Sequence, residues 1–479
     1  MRPLNWFTLA CDDAHVRGFA DFDQFVAELH GHRLILKTVV ELSEDVHHER
    51  EGGDADDQRD DQPDRQSLDR PFVPREIVGS ASHTFRGCVP TYKLADARPF
   101  KYDSAATVDM TFVIGRGEAN EGLPKMHLGA YRALDGSRGA DLYLDLDAPH
   151  SILVVGKRGY GKSYTLGVIA EGLSRTPGIA PTVVDPMGIF ASLASESGGG
   201  SNSGSGGDSI AAEVLENPAV APDSLDPRSW CSLLGLNPES GAGSLVWRAA
   251  QDRATLEGMV ASVTERDAPG RDERAAINHL RLADSWGVFD AEGIDAEALS
   301  CGAVTVVDVS GLDAEPMNAV CRGIGEALYR ASVTDALDRL PWLLVDEAHT
   351  FFDGVASSAL ETILTRGRAP GVSLVSATQR PSAVPDVGIS QSDVLVSHRL
   401  TAGADLDALR RAQPTYMNGS LADRMPTEPG DVVIVDDATE TVHASRIRER
   451  ETPHGGESPA VSELPLADST PIESGAAMD

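Results

Sequence analysis

The residues with the most chemistry to offer lie together at Gly156-Lys157-Arg158-Gly159-Tyr160-Gly161-Lys162-Ser163. Their spacing, GxxxxGK followed by Ser, sits between an apolar run, SILVV, and a helix-like stretch, TLGVIAEGL. A strand before and a helix after is the context in which this pattern cradles phosphate. The glycines let backbone N–H groups curl around phosphate oxygens. Lys162 would reach the β- and γ-phosphates, and the Ser163 hydroxyl would hold Mg²⁺. The helix that follows adds its positive N-terminal end. The expected nucleotide-binding set is therefore Gly156 to Ser163 together with Tyr164, and the expected cofactors are ATP and Mg²⁺.

Two further stretches supply what hydrolysis needs. LLVDEAH, residues 343–349, is an apolar strand that ends in two acids. Asp346 is placed to sit behind the Mg²⁺, and Glu347 to polarise an attacking water as general base. His349 either couples these acids to the next strand or simply packs. VSLVSATQRPSAVP, residues 372–385, is a buried-type strand ending in Thr378-Gln379-Arg380. Gln379 can both donate and accept a hydrogen bond, as contact with a γ-phosphate and a water requires.

Elements that could position these groups follow from the apolar pattern. The runs SILVVG, PTVVDP, AVTVVDV, WLLVDE, VSLVSATQ, DVLVSHRL and DVVIVDD read as strands, with helical stretches between most of them. That alternation predicts an α/β domain with a mainly parallel sheet over residues 131–448. Within it, 195–208 is a Gly/Ser-rich loop and 243–300 a helical insertion. Residues 1–40 and 71–130 are expected to form a small N-terminal region, α/β or β-rich. The acidic stretch 41–70 reads as a disordered linker, and 449–479 as a disordered acidic tail.

Composition bounds the setting. The 479 residues carry a net charge of −33, and only six of the 41 basic residues are lysines. Two of those six, Lys157 and Lys162, lie in the phosphate loop, which points to a chemical need for lysine there. Acid excess with scarce lysine resembles the proteins of salt-accumulating archaea, where short screening lengths make self-repulsion cheap. On that reading the acidity is adaptation to solvent and does not by itself exclude nucleic acid. Five cysteines without a CxxC pair support neither a zinc site nor a disulfide framework. No apolar run reaches membrane-spanning length, so no membrane insertion and a cytoplasmic setting are expected.

The three motif blocks together resemble the HerA/FtsK superfamily of ring-forming motor ATPases, and HerA more closely, over roughly residues 122–447. The specific part is ATQRPS following VDEAH; VVDPMGIF, VVDVSGL and VLVSHRLTAGAD add to it. The resemblance implies a RecA-like P-loop ATPase domain in a homo-oligomer, a hexamer, that hydrolyses ATP at subunit interfaces and translocates double-stranded DNA, with a nuclease as possible partner. It also implies an arginine presented to the neighbour's γ-phosphate. Arg368, in GRAPG, matches the family's Gly-Arg before the sensor strand, with Arg380 and Arg399 as alternatives. The chain departs from the family where Ile189 follows Gly188, since HerA-like chains tend to carry Glu there. The competing expectation is a nucleotide-dependent switch or secretion-type ATPase acting on protein complexes rather than DNA.

Overall fold

The structure is a computed structural model, and it describes residues 112–116, 122–133, 135–194, 210–411, 416 and 419–456. Segments 1–40, 41–70 and 71–111, the Gly/Ser loop at 195–208 and the tail beyond 456 lie outside the described residues.

The strands in chain order are β1 (Phe112–Ile114), β2 (Lys125–Arg132), β3 (Arg138–Asp145), β4 (Ser151–Val155), β5 (Ile179–Asp185), β6 (Ala212–Leu215), β7 (Val304–Asp308), β8 (Leu340–Val345), β9 (Ser373–Thr378), β10 (Val394–Ser397), β11 (Asp431–Asp436) and β12 (Thr441–Ile447). They form one sheet in the order β1-β3-β2-β12-β11-β10-β4-β9-β8-β5-β7-β6. From β10 to β6 every neighbouring pair is parallel. The expected mainly parallel α/β sheet is borne out. The run DVVIVDD enters it as β11, antiparallel to β10 and to β12.

Alternation along the strands sorts the core onto two faces. Ile152 and Val154 of β4, Leu344 of β8 and Val375 of β9 pack with helix α1 (Lys162–Ser174). Leu153, Val155, Leu343, Val345 and Leu374 face the other way. There they meet α6 (Ala314–Val333) and α8 (Ser357–Arg366) through Val320, Ile324, Leu328, Leu360 and Ile363.

Three sequence boundaries shift. The sheet begins at Phe112, ahead of the expected start at residue 131, because the apolar face of β2 has a partner. Met126 and Leu128 are buried in the α1 layer, and Met126 packs on Gly172. The helical segment starts before residue 243. Helices α2 (Pro227–Leu233), α3 (Gly241–Asp252), α4 (Leu256–Thr264) and α5 (Gly270–Ser285) bury Trp230, Val246, Met259 and Leu280 in a cluster of their own. Asp226, Ser240 and Thr255 cap α2, α3 and α4 through side-chain bonds to backbone N–H groups.

The tail boundary shifts as well. Residues 449–456 were expected to be disordered, yet they lie along α1. What holds them is polar, which an aliphatic-poor composition does not reveal. Glu171, fully buried in α1, accepts from the backbone N–H of Glu451 at 3.0 Å and of Thr452 at 2.9 Å. It also takes the Thr452 hydroxyl at 2.7 Å and Arg448 Nη1 at 2.7 Å. Gly167 lets the Arg450 guanidinium lie on the helix, since a Cβ there would come within 2.6 Å of it.

Candidate active site

The carboxyl ends of β4, β9 and β8 bring the three sequence blocks to one edge of the sheet. The register aligns Val155 with Thr378, and Ser376 with Val345. Because β9 lies between β4 and β8, the residues after Thr378 stand between the phosphate loop and the two acids.

The loop leaves β4 and enters α1 through Gly161, which caps the helix at φ 108. That left-handed conformation favours glycine. Space matters as much as angle. A Cβ on Gly156 would lie 2.5 Å from the His398 Cβ, so the loop can rest on this histidine only as glycine. His398 is fully buried at the end of β10, and its Nε2 shares a hydrogen bond with Thr165 Oγ1 at 2.9 Å. Burial, then the nearby Lys162 charge, push its pKa down to about 3, so it is a neutral floor for the loop. The next residue, Arg399, accepts the Lys157 backbone N–H at 2.8 Å. Lys157 itself lies 4.3 Å over the Tyr160 ring, and Arg158 and Gly159 are exposed. The Tyr164 side chain turns away from the loop. Its hydroxyl accepts from the backbone N–H of Arg450 at 2.6 Å, which leaves only its main chain for a nucleotide.

Ser163 Oγ donates to Asp346 Oδ2 at 2.7 Å. Asp346 is fully buried, and burial, reinforced by the Glu347 charge, lifts its pKa to about 6. A desolvated carboxylate joined to a hydroxyl is a donor set that suits a hard divalent cation. Ser163 and Asp346 would hold Mg²⁺, which would supply charge neutralisation at the phosphates. Asp185, at the end of β5, is also fully buried and raised to about 6 by burial. It accepts from the backbone of Met187 and Phe190 at 3.0 and 2.7 Å. The loop carrying Ile189 is thus shaped without an acid at that position.

Lys162 is buried, and both Asp346 and Glu347 act on its charge; burial dominates and lowers its pKa. Glu347 has φ 45, in the left-handed region that non-glycine residues adopt at a cost of order 1–3 kcal/mol. Burial raises its pKa, while Lys162, the Gln379 backbone N–H and Arg158 pull the other way. Its Oε2 is buried without a hydrogen bond. A strained carboxylate beside Gln379 and facing Lys162 is equipped to take a proton from a water.

Lys162, Ser163, Asp346, Glu347 and Gln379 therefore meet in one place, with Arg380 and Arg399 exposed or half-buried near the same edge. Arg368 does not join them. It is exposed in the turn between α8 and β9, at the amino edge. A six-residue strand separates the edges by about 20 Å. Any role for Arg368 in hydrolysis is therefore at a neighbour's site. Sequence reasoning missed His398. The signal was available, as a histidine closing the otherwise apolar strand VLVS.

Residues 127–325 match the family model described as the helicase HerA central domain. Among solved structures, VirB4 of Thermoanaerobacter pseudethanolicus is 15% identical with a TM-score of 0.50, covering 69% of this chain and 97% of its own. The bacterial conjugative coupling protein TrwB, lacking its first 70 residues, is 12% identical with a TM-score of 0.45, covering 71% and 97%. The genome packaging NTPase B204 from Sulfolobus turreted icosahedral virus 2, in complex with ATPγS, is 10% identical with a TM-score of 0.33, covering 62% and 97%. No curated protein matches. The phosphate loop, the paired acids and the intervening sensor strand make the chain a P-loop ATPase, and its residues 127–325 are similar to the HerA central domain of the HerA/FtsK superfamily.

Proposed function

We propose that the chain is a ring-forming motor, a hexamer, that uses ATP hydrolysis to translocate double-stranded DNA in the cytoplasm, with a nuclease as partner in DNA end processing. The HerA central-domain match across the phosphate loop and the strand after it carries this reading. Lys162 orients the phosphates, Ser163 and Asp346 hold Mg²⁺, Glu347 takes the proton of the attacking water and Gln379 contacts the γ-phosphate. Arg368 of one subunit neutralises transition-state charge at the next.

A second reading, a nucleotide-dependent switch or secretion-type ATPase acting on protein complexes, draws on the local neutralisation of the arginines that would face DNA. Arg266, the first of the arginines around α5, is already paired with Asp252. ATPase rate in molar KCl, with and without linear duplex DNA, separates the two. Clear stimulation by duplex supports the motor; no response at any salt concentration supports the switch. A motor that binds phosphates through few ionic contacts still loses affinity as salt rises.

A further inference from the structure

His349 is used by none of the steps above, yet it stands between the two groups that the reaction must coordinate. Its Nδ1 lies 3.2 Å from Thr378 Oγ1, at the end of the sensor strand β9. The same nitrogen lies 3.4 Å from Glu347 Oε2, the buried oxygen that lacks a hydrogen bond. Thr378 is fully buried, and its hydroxyl oxygen accepts the Arg380 backbone N–H at 3.0 Å, which fixes its place two residues from Arg380 and next to Gln379. The short helix α7 (His349–Phe352) is itself pinned to β9, because the Ala348 N–H donates to Ala377 at 2.8 Å. One imidazole nitrogen thus faces two oxygens at the ends of adjacent strands, and since a carboxylate can only accept, the tautomer with its proton on Nδ1 serves both.

We propose that His349 is a positioning residue for Glu347. Its Nδ1–H is shared between Thr378 Oγ1 and Glu347 Oε2, and this ties the base to the strand that carries Gln379. Contact of Gln379 with a γ-phosphate moves the end of β9, and the shared proton donor moves the carboxylate with it. The strained backbone of Glu347 makes the arrangement one that a small shift can change. The proposal rests on Glu347 being the base.

The test is steady-state ATPase kinetics on His349→Ala, His349→Asn, His349→Gln, Thr378→Val and the double variant His349→Ala/Thr378→Val, with Glu347→Gln run alongside. Asn can place an amide N–H where Nδ1 stands; Gln places it one bond further out. His349→Ala should lower kcat about 10- to 100-fold with KM changed less than about threefold, the size of effect that a misplaced catalytic group produces. His349→Asn should recover most of the rate and His349→Gln should not. Thr378→Val should also slow kcat, and the double variant should be no slower than His349→Ala, as expected of groups in one network. A packing role predicts instead that Asn is no better than Gln and that the two losses multiply; either result overturns the proposal. Parental kcat in His349→Ala with an inactive Glu347→Gln removes the positioning role alone. A fully active Glu347→Gln removes the base assignment and the positioning role together.

Discussion

The two ends of strand β4 bury charge in opposite ways. At the amino end, His150 is 4% exposed and meets a carboxylate on each nitrogen: Asp393 at 2.8 Å from Nδ1 and Asp145 at 3.2 Å from Nε2. Asp145 is further paired with Arg116, and Asp393 also takes the Ser151 N–H at 2.9 Å. Burial opposes charge on His150, but the two carboxylates overcome it and raise its pKa to about 9. At the carboxyl end, Lys162, Asp346 and Glu347 are all shifted toward their neutral forms, with burial as the first cause in each. One end is satisfied and holds the sheet together. The other holds a lysine and two carboxylates that burial perturbs, and such perturbed groups concentrate where chemistry is done.

The contrast breaks most visibly if Arg368 serves a neighbour's carboxyl edge from the amino edge of its own sheet. Arg368→Ala should then cut kcat by about 10³-fold or more, the scale of an arginine finger, while binding of a fluorescent ATP analogue stays intact. Unchanged turnover would move the role to Arg380 or Arg399. Glu347→Gln should lower kcat by about 10²–10⁴-fold and leave ATP bound; turnover at the parental rate would mean the base lies elsewhere.

Disturbing the satisfied regions should cost stability instead. In Glu171→Gln, Arg448 and Arg450 lose their buried counter-charge, and a broken buried pair typically costs about 3–5 kcal/mol. Urea unfolding at pH 7 should show that loss, with kcat preserved under folding conditions; an unchanged midpoint would mean that residues 448–456 contribute little. His150 gives the smallest effect and a definite sign. Its folded pKa of about 9 exceeds the ordinary 6.5, so its contribution is complete below pH 6.5 and lost as pH rises through 9. The protein should lose about 2–3 kcal/mol between pH 6.5 and 9.5, and His150→Gln should be nearly flat over that window. Equal pH dependence in both would show that His150 is not the group responsible.

Much of the carboxyl edge was legible in the sequence because its motifs are local. Gly156 to Ser163 and Asp346-Glu347 are contiguous, and each follows an apolar run that can only be a buried strand. The amino-edge network was not legible. His150 and Asp393 are 243 positions apart, and neither stands in a pattern that announces the other. Glu171 looks like an ordinary acid in a helix until Arg448 and Thr452 return to it from 277 and 281 positions away. The helical segment shows in stretches such as RDERAAINHLRLADSWGVFD, but its start at Pro227 does not. α2 is only seven residues long, too short to show a period, and its evidence is the Asp226-Pro227 cap.

The central claim is that one magnesium–triphosphate binds where β4, β9 and β8 end. The most direct test is a structure determined with Mg²⁺ and a non-hydrolysable ATP analogue. The account predicts the metal on Ser163 and Asp346, Lys162 on the β- and γ-phosphates, and Glu347 and Gln379 at the γ-phosphate. A nucleotide bound away from this edge, or a γ-phosphate out of reach of both Glu347 and Gln379, would contradict it.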